Sequence, residues 1–361
     1  MAYYYSKSGY GRRRRKSPLR KFIFFTLILF ILLAVATAFF VYRALFSNNV
    51  WLDDREKVSV YIPTGSDYED VKSELYGKGL IVNRRTFEWV ARQKDYPVLV
   101  KPGHYVINKG MSNNEVVDML RSGIQEPVNV LFNNVRGVKE LASRISLQIE
   151  ADSANLTNLM TDSTYLSKMG LSEATATTIF IPNTYEFYWT TTAKQFIERM
   201  YLEYKSFWNK DRLAKAADAG LSITEVIILA SIVEKETTKD DEKPAIAGVY
   251  MNRLKRGWRL QADPTLIYAM QDFSIRRVLN KHKEIDSPYN TYQNPGLPPG
   301  PICIPSITSI NAVLNFEDHG YLFFCAKDDL SGYHEFSKTT IQHNRNARKY
   351  QRALDAMDVW K

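Results

Sequence analysis

The sequence predicts an α+β protein in three parts: a single N-terminal transmembrane helix, a small α/β unit, and a larger mixed α/β domain. Three observations carry this. A continuous apolar run, Phe22 to Tyr42, follows a cluster of Lys and Arg. Between residues 51 and 125, two strand-patterned segments bracket helix-patterned ones. From 126 to 361, amphipathic helical stripes with polar caps dominate and strand-like runs are short. A chain of 361 residues can hold two domains and a sizeable core.

Residues 1–21 form a basic tail, holding eight of the 48 Lys and Arg and no acid. The other 40 basic residues face 39 acidic ones, so the body is near neutral and lacks the electrostatic motive for binding nucleic acid. The apolar run 22–42 would reach roughly 31 Å as a helix, enough to cross a bilayer core. Lys and Arg on its N-terminal side predict a single-pass protein of the cytoplasmic membrane, N-terminus inside and body exported. Ala34-Val35-Ala36 resembles a signal-peptide cleavage site, but the apolar run continues through Phe39, Phe40 and Val41, which favours an uncleaved anchor. Residues 43–50 then read as a linker.

The elements of the small unit follow in order. Lys57–Ile62 is a strand with Val58, Val60 and Ile62 on one face. Pro63-Thr64-Gly65 turns the chain, and Ser66 or Asp67 caps a helix burying Val71 and Leu75. A second helix spans 84–93 and a strand 103–107, and Ser112 caps a third helix that stops at Gly123. In the larger domain the pattern predicts a strand over 128–132, helices over 138–149 and within 151–179, and a long helix over 192–217. Helices at 222–237 and 243–255 follow, then a loop-rich region to Ser306. A helix over 306–314, strands at 321–326 and 333–336, and a terminal helix from Thr340 complete the chain. Pro182 keeps Phe180–Phe187 from being a regular central strand. Cys303 and Cys325 could pair or remain free buried thiols.

Glu236 is the most pointed candidate for chemistry. Ser222 with Glu225 forms a capping box that starts a helix. Counting back from Glu236, Val233, Ile232 and Leu229 share its face. A carboxyl extending such a stripe is desolvated, which raises its pKa and suits it to donate a proton near neutral pH. Glu234, with Ser231, Ala230 and Ile227 on its face, is the rival. Four further segments are costly to place in a core: Asn252 to Thr265, Ser287 to Tyr292, the stiff Gly296–Ile302 loop, and His334–Ser337 with His343-Asn344. Their aromatic, amide and acidic groups suit a sugar groove. Asp263 also reads as the cap of a helix beginning at Pro264. The five His residues show no HExxH-like spacing, so no metal is expected.

Together, FIPNTYEF at 180–187, ILASIVEKET at 228–237, AGVYMNRL at 247–254, RLQADPTLIYAM at 259–270, SPYNTY at 287–292, GLPPGPI at 296–302 and HEFSKTTIQHN at 334–344 closely resemble one family. It is the YceG-like endolytic murein transglycosylases, the MltG group. The resemblance implies a LysM-like unit over 51–125 and a YceG-like catalytic domain over 126–361. It implies catalysis by the glutamate of the VEKET segment, placed on Glu236 for its apolar stripe and the hydroxyl of Thr237 that follows. It further implies cleavage of the MurNAc–GlcNAc β-1,4 bond within glycan strands, a 1,6-anhydro-MurNAc end, no cofactor, and work beside the cell-wall synthesis enzymes. Gln261, Asp263, Asn290, Tyr292 and His334 are the expected sugar-binding residues. A hydrolytic muramidase would need a second carboxylate, for which Asp263 or Glu186 could serve. A non-enzymatic wall-binding scaffold is the reading from another class.

Overall fold

The computed structural model describes residues 1–2, 18–275 and 277–356. The Arg12–Lys16 cluster lies outside them. The chain divides into two compact units, Met1–Glu126 and Pro127–Lys361.

The first unit opens with α1, Pro18–Phe46, a continuous helix extending beyond the expected 22–42 span at both ends. It is long and apolar enough to cross a membrane. Residues 43–50 are not a free linker. Ala44 is buried, and its carbonyl accepts a hydrogen bond from Asn113 Nδ2 at 2.8 Å. Isolated bridges then join Asn48 to Ser112 and Val50 to Ile81.

Strand β1 (Lys57–Ile62) is followed by α2 (Tyr68–Gly77), α3 (Arg84–Gln93), β2 (Gly103–Asn108) and α4 (Asn113–Ser122). β1 and β2 pair antiparallel, with Val60 opposite Tyr105. Asp67, not Ser66, caps α2, sharing a capping box with Asp70. Ser112 and Glu115 form the corresponding box on α4, and Gly123 ends that helix with φ 74°, a conformation that favours glycine. The alternation on β1 and the helical stripes meet in one core that includes Val60, Val71, Leu75, Phe87, Tyr105 and Val117.

In the second unit, β3 (Val128–Leu131) precedes α5 (Val138–Ser146), α6 (Ser153–Thr161) and α7 (Ser163–Ser167). After a 3₁₀ segment, Glu173–Ile179, strand β4 (Thr184–Phe187) pairs antiparallel with β3. Pro182 lies just before the ladder, where its missing N–H breaks no bond. The long helix expected over 192–217 is two helices, α8 (Ala193–Phe207) and α9 (Lys210–Ala219). The break falls at Trp208, whose ψ of 65° leaves the helical region. Asn209 Oδ1 then accepts from Arg212 N at 3.0 Å and caps the new helix.

Next come α10 (Ile223–Glu236), α11 (Lys243–Lys255), α12 (Asp263–Met270), α13 (Ile307–Leu314), the antiparallel pair β5 (Phe323–Ala326) and β6 (His334–Ser337), and α14 (Thr340–Ala356). The capping box of Ser222 and Glu225 starts α10, and every residue from Val226 to Val233 is buried. Side chains of α10, α11, α13 and the loops around Leu260 and Ile302 form one core; a second lies under β3, β4 and α8.

The Gly296–Ile302 loop is a buried support, not a groove wall. Ile302 N donates to Ser231 Oγ at 3.0 Å, which explains a serine at zero exposure inside an apolar helix. A Cβ on Gly300 would lie 1.9 Å from the carbonyl oxygen of Ala174, so only glycine permits that approach. Cys303 and Cys325 are both free thiols.

Candidate functional site

Glu236 ends α10, with Thr237 as the C-cap residue. Its side chain is half-buried at the wall of a pocket of about 460 Å³. Tyr250, Arg253, Gln261, Asp263, Tyr292, Phe323, Phe324, Thr340 and His343 complete that wall. Loss of hydration pushes the Glu236 carboxyl up to about 7; a hydrogen bond from Tyr250 opposes this, the charge of Asp263 adds to it, and Arg253 opposes it. Near neutral pH the group is therefore poised between acid and base.

Each neighbour is placed by an element. Tyr250, on α11, donates its hydroxyl to Glu236 Oε1. Burial, then the charge of Glu236, holds that phenol protonated well above its usual range. With Oε1 engaged, Oε2 has no hydrogen-bond partner among the described residues and is the oxygen left to meet a ligand. Arg253, one turn further along α11, donates Nε to Leu322 O at 2.8 Å and Nη1 to Leu260 O. It thereby ties α11 to the approach of β5 and to the loop before α12, and its guanidinium lies 5.4 Å from the Phe323 ring centroid.

Gln261 stands at the pocket with φ 53°, an unfavourable conformation for a side chain with a Cβ. The Thr291 carbonyl holds its N–H at 3.0 Å, and Thr291 Oγ1 accepts from Ala262 N at 3.0 Å. Tyr292 donates to Asp263 Oδ1 at 2.5 Å. Asp263 begins α12 but makes no side-chain cap; its carboxylate serves the pocket instead.

Two expected sugar contacts lie elsewhere. Asn290 is completely buried: its amide donates to Lys283 O at 3.0 Å and Ile285 O at 2.8 Å, and its Oδ1 accepts from Tyr292 N at 3.0 Å. It shapes the loop carrying Tyr292, and with both amide hydrogens engaged and no exposed surface it does not meet a sugar. His334 stands behind the wall. Its backbone N–H meets Glu242 Oε1 at 2.6 Å, its Nδ1 pairs with Glu242 Oε2 at 2.7 Å, and its ring packs edge-on against Phe324 at 5.2 Å. The histidine that lines the pocket is His343, stacked 5.4 Å from Phe323, with a buried Nδ1 that has no partner among the described residues. Burial, then Arg253, lowers its pKa, so it is a neutral imidazole at physiological pH.

Glu234 has a different role. Its Oε2 accepts from Ser306 Oγ and Ser309 Oγ, each at 2.5 Å, and from Lys243 Nζ at 3.3 Å. Burial alone would raise its pKa, but the two hydroxyls and the lysine outweigh it and hold the carboxyl below the usual range. Glu234 is thus an ionised pin for the start of α13. Glu186 is exposed on β4 and contributes nothing to the pocket wall.

Sequence reasoning gave Tyr250 no role; Arg253 and His343 fell within the segments read as a sugar groove but were not singled out as site residues. Tyr250 reads as core on an apolar helix, and only its reach to the last turn of α10 distinguishes it.

The YceG-like family model matches residues 60–349. The endolytic murein transglycosylase of Bacillus subtilis (strain 168) is 28% identical over 326 residues, covering 86% of this chain and 89% of the relative. That of Streptococcus pneumoniae (strain R6) is 28% identical over 367 residues, and the match takes in 90% of this chain but 64% of the longer relative. The 2.6 Å crystal structure of a yceG-like protein from Listeria monocytogenes superposes with a TM-score of 0.55 at 30% identity, over 80% of this chain and 98% of that one. This chain belongs to the YceG-like family.

Proposed function

We propose that the protein is a membrane-anchored endolytic lytic transglycosylase that cuts the MurNAc–GlcNAc β-1,4 bond within peptidoglycan strands and leaves a 1,6-anhydro-MurNAc end. One observation carries the reading: Glu236, at the wall of a pocket, has a carboxyl pushed up to about 7 by burial and one oxygen already fixed by Tyr250. The names of the relatives support the same reaction class.

In this mechanism Glu236 donates its proton from Oε2 to the glycosidic oxygen as the bond to C1 breaks. Positive charge develops at C1 and is shared by the sugar's own acetamido group. The ionised Glu236, stabilised by Tyr250, then takes the proton of the C6 hydroxyl, whose oxygen closes on C1. The acid is regenerated, and neither water nor a second carboxylate is consumed. Gln261, Asp263, Tyr292 and His343 would hold the sugars, with the Phe323 and Phe324 rings as apolar backing.

The hydrolytic alternative has a specific feature in its favour, since Asp263 brings a second carboxylate to the same pocket. Its engagement by Tyr292 favours a positioning role. The β1–β2 unit we assign as LysM-like, a wall-binding module. We assign α1 as a single-pass anchor with the N-terminus inside and the catalytic domain outside the cytoplasmic membrane, beside the cell-wall synthesis enzymes.

Incubating the full chain with purified glycan strands and weighing the fragment ends tests the reading. Anhydro ends are expected, lighter by one water than hydrolytic ends. Glu236→Gln should lower the rate by about 10²–10⁴-fold, the scale of an essential acid–base group. Reducing ends would establish hydrolysis. Full function of Glu236→Gln in cells would indicate a scaffold.

A further inference from the structure

Glu236 lines a second cavity as well. This pocket, of about 490 Å³, is walled by Asn134, Glu234, Lys235, Thr237, Thr238, Asp240, Lys243, Ser306 and Thr308. Its chemistry contrasts with that of the first, which presents Tyr250, Tyr292, Phe323, Phe324 and His343. The second has no aromatic side chain; it offers hydroxyls and charges. A strand cut in its interior must continue on both sides of the acid, and two pockets of unlike chemistry share Glu236.

The charges of the second pocket are unequally committed. Lys243 is engaged by both acidic neighbours, Glu234 at 3.3 Å and Asp240 at 2.7 Å. Lys235 forms no ion pair among the described residues; its ammonium is held by the neutral Oδ1 of Asn134, on the segment after β3. Asn134 itself takes φ 47°, a left-handed conformation that asparagine tolerates better than most residues. The pocket therefore presents one oriented cation without a carboxylate, one residue from the acid.

We infer that this pocket receives the muramyl sugar and that Lys235 pairs with a carboxylate borne on it. The inference rests on the proposed action on peptidoglycan. Two sources supply the same chemistry: a carboxylate of the stem peptide, or the D-lactyl carboxylate exposed when that peptide is removed. N-acetylglucosamine carries neither, so the pairing fixes the strand's direction across Glu236 and selects which of the two alternating bonds is cut.

The experiment compares the full-length protein with Lys235→Gln and Lys235→Arg on three substrates: strands with stem peptides, strands stripped of them by an amidase, and peptide-bearing strands with amidated carboxyls. Lys235→Gln should raise KM about tenfold with kcat unchanged on at least one carboxylate-bearing substrate, the scale of one charge-assisted hydrogen bond. Lys235→Arg should restore most of the loss, and raising the salt should narrow the gap. A penalty on peptide-bearing strands alone identifies the stem peptide; one on stripped strands alone identifies the lactyl group. An unchanged KM on both, or an equal penalty on amidated strands, overturns the inference. A binding measurement separates it from the reaction. In a Glu236→Gln background, titration with a soluble muramyl peptide and with peptide-free N-acetylmuramic acid should show about tenfold weaker binding of at least one of them when Lys235→Gln is added. Equal affinities for both overturn the inference even if cleavage is as proposed, whereas failure of the wild type to cut any strand would sink the functional reading.

Discussion

Tyr250 decides how the Glu236 carboxyl can act. Its hydroxyl donates to Oε1, which leaves Oε2 for a ligand and favours the ionised form that, in the proposed mechanism, follows proton donation. The same bond draws the Glu236 pKa down against the larger effect of burial. The sign of the perturbation in Tyr250→Phe follows: without the donor, Glu236 holds its proton to higher pH. If the protonated acid is the active form, the alkaline limb of kcat/KM, expected near pH 7 in the wild type from the raised carboxyl, should move upward. Turnover should fall by about tenfold to a hundredfold, the scale of lost orientation. A pH–rate profile with an unmoved or acid-shifted limb would show that Tyr250 does not act through Glu236. At this scale the sequence was legible where a pattern fixes a side chain's surroundings and opaque where chemistry alone is known. Leu229, Ile232 and Val233 place Glu236 on a buried stripe whatever surrounds it. Asn290 and His334 announce only that hydrogen bonds are needed; whether a sugar or the Lys283 and Ile285 carbonyls and the Glu242 carboxylate supply them depends on residues distant in the chain.

Local chemistry sets the elements, and it was read most accurately where caps occur. Ser112, Ser222 and Ser306 each start the helix expected of them. The split at Trp208 was missed because the apolar periodicity runs through it; the decisive signal is Asn209, a cap that competes with helix continuation. Proline and glycine in the Gly296–Ile302 loop signal stiffness without saying what the stiffness serves, so a groove wall and a support read alike in the sequence. The stiffness serves α10, through the bond from Ile302 N to Ser231 Oγ. Gly300→Ala therefore tests support without touching the pocket. The added methyl would meet the Ala174 carbonyl oxygen at 1.9 Å, forcing the loop away. Destabilisation of about 1–3 kcal/mol is expected from such overpacking, read as a lower denaturant midpoint. A midpoint equal to that of the wild type would mean that the loop yields freely and is not the support described.

At the scale of the whole molecule, charge and hydropathy carry the argument. Subtracting the basic tail leaves a nearly neutral body, while α1 presents apolar side chains on all sides and has no core of its own to enter except at its last turn. That last turn is where the anchor and signal-peptide readings diverge. Cleavage after Ala36 would leave Phe39, Phe40, Tyr42 and Phe46 on the exported body, each more than half exposed. A bilayer removes that surface from water; an aqueous compartment does not, and burial of each such side chain is worth about 1.5–3 kcal/mol. The docking of Ala44 through Asn113 also makes the helix end part of the first unit's structure, so a retained α1 would hold that unit at the membrane surface. The full-length protein should accordingly pellet with membranes, remain there through high salt and alkaline carbonate, and be released by detergent. Replacing Leu29 and Leu33 with Arg, one turn apart in the middle of the span, should abolish retention, because each charge at the bilayer centre costs about 2.5–3.5 kcal/mol on insertion. A mature, soluble, exported form beginning near Thr37 or Phe39 would instead establish α1 as a removable leader and place the enzyme free in the wall.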